Sequence, residues 1–152
     1  MQLRKYAPPA FLVSQGVADK RYTRWLSHKA KTHLKRDRAR TKNSAASRES
    51  YMLAIHSAVI RSEGNDAYTG EALHWHLIST YDSDAAKVGG KKYRSTYALL
   101  PSADHVGDGS CSGDFLICAC RTNDAKSDLD FADFLALCQR VVARAGVLEG
   151  QV

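Results

Sequence analysis

Apolar side chains recur at helical spacing in two stretches of the first half of the chain. Between Arg21 and about Arg40 they fall at Tyr22, Trp25, Leu26, Ala30, His33 and Leu34, which places them on one stripe of an amphipathic helix. The other faces carry Arg24, Lys31, Lys35, Arg36, Arg38 and Arg40, so the buried seam is narrow and the solvent side cationic. Ser47 is placed to cap a second helix running to about Glu63, with Tyr51, Met52, Ile55, Ala58 and Val59 as its apolar face and Gly64-Asn65 as its stop. Ahead of both, Pro8-Pro9, the short apolar run from Ala10 to Val13 and Gly16 predict an extended arm over residues 1–19.

The second half reads differently. Asp66 to Leu73, with Gly70 inside it, predicts a tight turn before a strand from about Ala72 to Thr80, on which His74 and His76 share a face around Trp75 as a surface pair. Tyr81 to Arg94, with Gly89-Gly90 and the basic cluster Lys91, Lys92 and Arg94, predicts a long loop. Thr96 to Leu100 has strand character and leads into Asp104-His105. A Gly/Ser/Asp turn from Gly107 to Gly113 follows, then an apolar strand after Asp114 and a short polar helix with Asn123 and Lys126. Ser127, with Asp130 three residues on, predicts the start of a last helix whose stripe of Phe131, Phe134, Leu135, Cys138, Val141 and Val142 serves as core scaffolding until Gly146. His56 is read as structural.

Charge changes this picture more than bulk composition does. Of 22 Lys and Arg, eleven lie from Lys20 to Arg48 against the single acid Asp37, a net of +10; the remaining eleven bases and fifteen acids come to −4. A basic helical region, residues 1–64, is thus joined to a mildly acidic region, residues 65–152, in a chain short enough for one compact unit. Few acids are interleaved to neutralise the basic run, which points to phosphate contact by Arg24, Lys31, Lys35, Arg36, Arg38 and Arg40, with Lys91, Lys92 and Arg94 near Tyr93 and Tyr97 as a second grip. No apolar run approaches the ~20 residues of a membrane span, so no membrane partner and a cytoplasmic location are expected. The cysteines, Cys111, Cys118, Cys120 and Cys138, form no Cys-x-x-Cys pair, so buried free thiols are expected and a structural zinc is not.

One stretch speaks about chemistry. An apolar approach delivers Asp104-His105 to a polar turn, a strand returns from Asp114, and Asn123 and Lys126 follow three residues apart. This order resembles the His-Asn-His (HNH, ββα-metal) endonuclease family, over about Tyr68 to Asp128. The resemblance implies an α+β fold with a ββα-metal core and flanking helices, including the basic N-terminal arm. It also implies hydrolysis of phosphodiester bonds, with double-stranded DNA as partner. His105 would be the general base, since an imidazole can take a proton from water at neutral pH. Asp104 and Asn123 would hold a divalent ion, Mg²⁺ or Mn²⁺, which accepts few protein oxygens and keeps its waters. Asp114 stands where the family commonly has Asn, leaving open whether Asp114 or a backbone carbonyl orients His105. Lys126 would contact phosphate or support the fold. Cutting both strands with so small a site requires a homodimer or sequential nicks. The alternative is a non-catalytic nucleic-acid-binding module that keeps the ββα scaffold.

Overall fold

In the computed structural model, which describes residues 5–41, 46–107 and 114–150, the chain begins with a short helix where an extended arm is expected. Pro9 occupies the N-cap of α1 (Ala10–Ser14), where a missing N–H costs nothing. Gly16, at φ 76°, lets the Gly16 and Val17 amides return to the Val13 and Leu12 carbonyls at 2.9 and 3.0 Å. Leu12 and Val17 are thereby both driven into the core.

α2 (Asp19–Thr41) buries the expected stripe and adds Asp37 to it. α3 (Arg48–Ser62) packs against α2. Its Ser47 hydroxyl accepts the Ser50 amide while the Ser50 side chain accepts the Ser47 amide, both at 3.1 Å. Removing this reciprocal cap in Ser47→Ala is expected to cost about 1 kcal/mol, read as a lower denaturant midpoint at unchanged slope.

No strand forms between Ala72 and Thr80. A lone bridge joins Asn65 to Ala72, and Trp75–Leu77 is a single 3₁₀ turn. Among the described residues no neighbouring strand lies there to complete a ladder, and the backbone is satisfied otherwise: the His74 amide donates to Leu99 O and the Trp75 amide to the Gln15 side chain, at 2.9 and 3.1 Å. Trp75 is fully buried at the centre of this packing, edge-on to Trp25 and Phe11.

The expected loop from Tyr81 to Arg94 is largely helical. Asp82 caps α4 (Ser83–Thr96) by accepting the Asp84 and Ala85 amides at 2.8 Å. Gly90, at φ 55°, puts a kink into the helix instead of ending it. The rings of Tyr81, Tyr93 and Tyr97 cluster beside it.

β1 (Pro101–Val106) and β2 (Asp114–Ala119) form a two-stranded antiparallel sheet in which His105 faces Phe115 and Asp104 faces Leu116. The strand starts at Pro101, after the segment from Thr96 to Leu100, and contains Asp104-His105 within it. Residues 108–113 of the expected turn, Cys111 among them, lie outside the described residues. α5 (Cys120–Lys126) follows β2 directly. Ser127, expected to open the last helix, instead closes α5 at φ 51°, and Asp130 caps α6 (Phe131–Glu149) by accepting the Asp133 amide. α6 runs through Gly146, and none of its residues is buried, so it is not the core scaffold its stripe suggests.

The architecture is α+β, with one core drawing on both halves of the chain: Leu26, Leu34, Tyr51 and Ile55 from the basic half meet Trp75, Phe115 and Ile117. Among the described residues no helix is long and apolar enough to cross a membrane.

Candidate catalytic cleft

Side chains alternate along a strand, so adjacent Asp104 and His105 take different partners. His105 turns toward α2 and α3. Its ring stacks on Phe115 with centroids 4.6 Å apart and planes at 17°, and its Nδ1 lies 2.8 Å from Asp37 Oδ2. The same carboxylate oxygen accepts the Tyr51 hydroxyl at 2.5 Å. A carboxylate only accepts, so Nδ1 carries the hydrogen, and in the neutral form of the ring the lone pair is at Nε2. That Nε2 is buried and has no hydrogen-bond partner.

Asp104 turns toward α5. Its Oδ2 accepts the Tyr68 hydroxyl at 2.5 Å and lies 3.2 Å from Lys126 Nζ, with the Asp104 and Lys126 side chains each only 10% exposed. Tyr68 reaches this position because Asp66 fastens the turn before it. Asp66 Oδ1 accepts the Tyr68 and Thr69 amides, and Oδ2 accepts the Ala119 amide and the Thr122 hydroxyl. Burial opposes the Asp66 charge, yet these four donors outweigh it and hold the carboxyl below its ordinary value. Burial first, and then the bond to Asp104, push the Tyr68 phenol above its ordinary range, so it stays a donor.

A cleft of about 950 Å³ collects these groups, with His33, Arg36, Asp37 and Arg40 from α2, Tyr68 from the turn, Asp104 and His105 from β1, and Asn123 and Lys126 from α5 along its walls. The polycation is therefore not a separate arm, since α2 supplies both the partner of His105 and two arginines at the same opening. Asn123 is half-buried there.

The remaining expected positions are more scattered. Asp114 pairs with Val106 at the end of the ladder and is exposed; the partner of the His105 ring is Asp37, which lies in space where Asp114 does not reach because Asp114 begins the opposite strand. Lys126 is buried against Asp104 and is not a free phosphate contact. Arg38 donates to Ala46 O at 2.9 Å, tying α2 to the start of α3. Arg24 lines a different groove, with Lys5, Lys20 and Arg48. Lys31 and Lys35 are exposed on α2, and Lys91, Lys92 and Arg94 are exposed on α4 outside the cleft lining. His74 and His76 adjoin each other with ring centroids 5.4 Å apart, and His56 accepts or donates a 2.7 Å bond with Tyr22 as a structural histidine. His33, Asp37 and Tyr68 line the cleft and are not legible as site residues from the sequence, and Tyr51 backs the cleft from beneath as the buried partner of Asp37.

Asp104 and Asn123 together offer one carboxylate and one amide oxygen. That set fits a hard divalent ion retaining most of its waters, with Lys126 sharing the carboxylate; it does not suit zinc. Among the described residues no three His, Cys, Asp or Glu side chains group closely enough to hold a metal. Burial pushes the Cys118 and Cys120 thiols above their ordinary value, which keeps them protonated.

His33 meets His105 edge-on at 6.2 Å, and its Nδ1 also lacks a partner. Burial, and next the Arg36 charge, lower its pKa from 6.5 to about 4. Above pH 6.5 the ring is neutral in the folded and unfolded chain and contributes nothing; as the pH falls toward 4 the unfolded chain takes a proton that the folded one refuses. Stability is expected to drop by about 3 kcal/mol across that window. Urea unfolding from pH 7.5 to 4 measures it, and His33→Gln should flatten that limb.

No family model matches the chain, and neither a curated protein nor a solved structure matches it.

Proposed function

We propose that the chain is a metal-dependent endonuclease of the His-Asn-His kind, hydrolysing phosphodiester bonds of double-stranded DNA in the cytoplasm. The observation that carries this reading is the Asp37–His105 pair, which holds Nδ1 as the donor and leaves a buried, unpartnered Nε2 on a residue that lines the same cleft as Arg36 and Arg40. A buried polar atom without a partner is uncommon, and on a residue that shares a cleft with Arg36 and Arg40 it suits a group whose partner arrives with the substrate, although Asp37, Asp104, Asp124, Asp128 and Asp130 line the same cleft. The hairpin followed at once by α5, and the order Asp104, His105, Asn123, Lys126, support a ββα core.

In the reaction, the His105 Nε2 lone pair takes a proton from water as the water oxygen attacks phosphorus and the bond to the 3′ oxygen breaks. Asp37 holds the ring in place and lies beside the charge it gains. Arg36 and Arg40 receive the anionic backbone. Asp104 and Asn123 would hold the divalent ion, which supplies charge neutralisation on the phosphoryl and leaving oxygens. Tyr68 and Lys126 orient Asp104.

The buried Lys126–Asp104–Tyr68 cluster favours a second reading, because an ammonium already compensates the carboxylate that the ion would use. On that reading the scaffold binds DNA without cutting it. Incubating the protein with supercoiled plasmid and a labelled duplex, with Mg²⁺, Mn²⁺ or chelator, separates the two. Ion-dependent nicking supports the nuclease. Salt-sensitive binding with no product under either ion supports the binding module, since phosphate contacts release counterions whether or not chemistry follows. Neither binding nor nicking sinks both.

A further inference from the structure

α6 has nineteen residues and none is buried. Its first turn is tied to the body through Phe131 stacked on Tyr68 at 5.5 Å, and Phe134 and Ala136 are partly covered, while from Leu137 on every residue of the helix is exposed. A helix of this length draws most of its stability from packing an apolar face, and this face finds little in its own chain. The face is large: Phe131, Val141, Val142 and Leu148 are 52, 60, 71 and 49% exposed.

The spacing on that face says what covers it. Phe131, Phe134, Cys138, Val141, Ala145 and Leu148 follow one another at steps of three, four, three, four and three. That is an unbroken a/d heptad seam, widened by exposed Leu135 and Val142 at e positions and Leu137 at a g position. The small Cys138 and Ala145 at a positions allow a second helix to approach closely. Charge chooses the direction. With Phe131 as a, Arg144 is a g position and Glu149 the e position five residues on, the two sites that meet between parallel chains in register. Among the described residues neither forms an ion pair within its own chain.

We propose that two copies of this chain associate through α6 as a parallel, in-register, two-stranded coiled coil, with Cys138 facing Cys138 and Arg144 of each copy pairing with Glu149 of the other. Seven half- to mostly exposed large apolar side chains along α6 offer the kind of continuous surface from which each partner gives ~800 Å² to a standard interface. The association is independent of whether the cleft cuts DNA.

Sedimentation of the full chain from 1 to 100 μM is expected to show a monomer–dimer equilibrium. Val141→Glu should weaken it by at least about 100-fold by placing a charge in the seam. Because Val141 is exposed, that variant should keep the thermal melting of the body. Arg144→Glu should weaken the dimer several-fold, and Arg144→Glu with Glu149→Arg should restore it, which an antiparallel pair would not reproduce. Diamide, which removes two protons and two electrons from a pair of thiols, should yield a disulfide-linked dimer through Cys138, lost in Cys138→Ser and in Val141→Glu. A monomer throughout that range overturns the proposal. So does a dimer insensitive to Val141→Glu, or one that the charge swap fails to restore and in which Cys138 does not cross-link.

Discussion

His105→Ala is expected to lower DNA cleavage by about 10²- to 10⁴-fold, the range a positioned general base contributes, while duplex binding stays within about twofold. The asymmetry follows from which groups meet the substrate. Arg36 and Arg40 line the cleft and are not touched by the substitution, whereas at the reacting end the Nε2 lone pair is lost together with the ring's pair to Asp37 and its stack on Phe115, so a urea midpoint is measured beside the rate. Asp37→Asn probes the other half of the pair. Its amide preserves the volume beside Tyr51 but offers hydrogens as well as an oxygen to the ring, so the tautomer is no longer fixed. A loss of about 10- to 100-fold in the rate, with binding unchanged, is the expected size for a group that orients another. Single-turnover cleavage of a labelled duplex, beside a binding titration, measures both variants. Full activity of His105→Ala removes His105 from its role as base.

The four residues that sequence order brings out, Asp104, His105, Asn123 and Lys126, belong to one local unit of hairpin and helix, and local units write their geometry into spacing. Asp37 is legible only afterwards. It arrives from α2, far away in the chain, and stands in a run of bases where a lone acid looks like a solvated charge. Its position was nevertheless marked: it lies four residues after His33 and three after Leu34, so it continues the buried stripe. An acid on the apolar seam of a basic helix needs a donor inside the fold, and Tyr51 and His105 are those donors. Tyr68 was hidden for a similar reason, since only the Asp66 turn sets its distance from Asp104. The α4 region misleads because Gly89-Gly90 reads as a breaker, while Asp82 as cap and a kink at Gly90 accommodate both glycines in a helix. α6 misleads the other way: a stripe shows that a face will be covered and leaves unsaid whether by its own chain.

Asp104→Ala should damage the fold as well as the chemistry. Asp104 and Lys126 are each 10% exposed in their side chains, and removing the carboxylate leaves the ammonium buried without its counter-charge and Tyr68 without its acceptor. Breaking such a pair from one side costs about 3–5 kcal/mol, far more than the pair's own net contribution. The double replacement Asp104→Asn with Lys126→Met removes both charges together, keeps an acceptor for the Tyr68 hydroxyl and fills the space of the lysine stem, so most of that stability is expected to return. Cleavage is not expected to return with it, because an amide cannot replace the carboxylate as an anionic ligand in the cleft that Asn123 also lines. Urea midpoints of the three proteins, set against nicking rates, separate the two roles. A stable but inactive double variant assigns Asp104 to the reaction. One that regains nicking together with stability reduces Asp104 to a structural partner of Lys126 and leaves the cleft as a surface that binds.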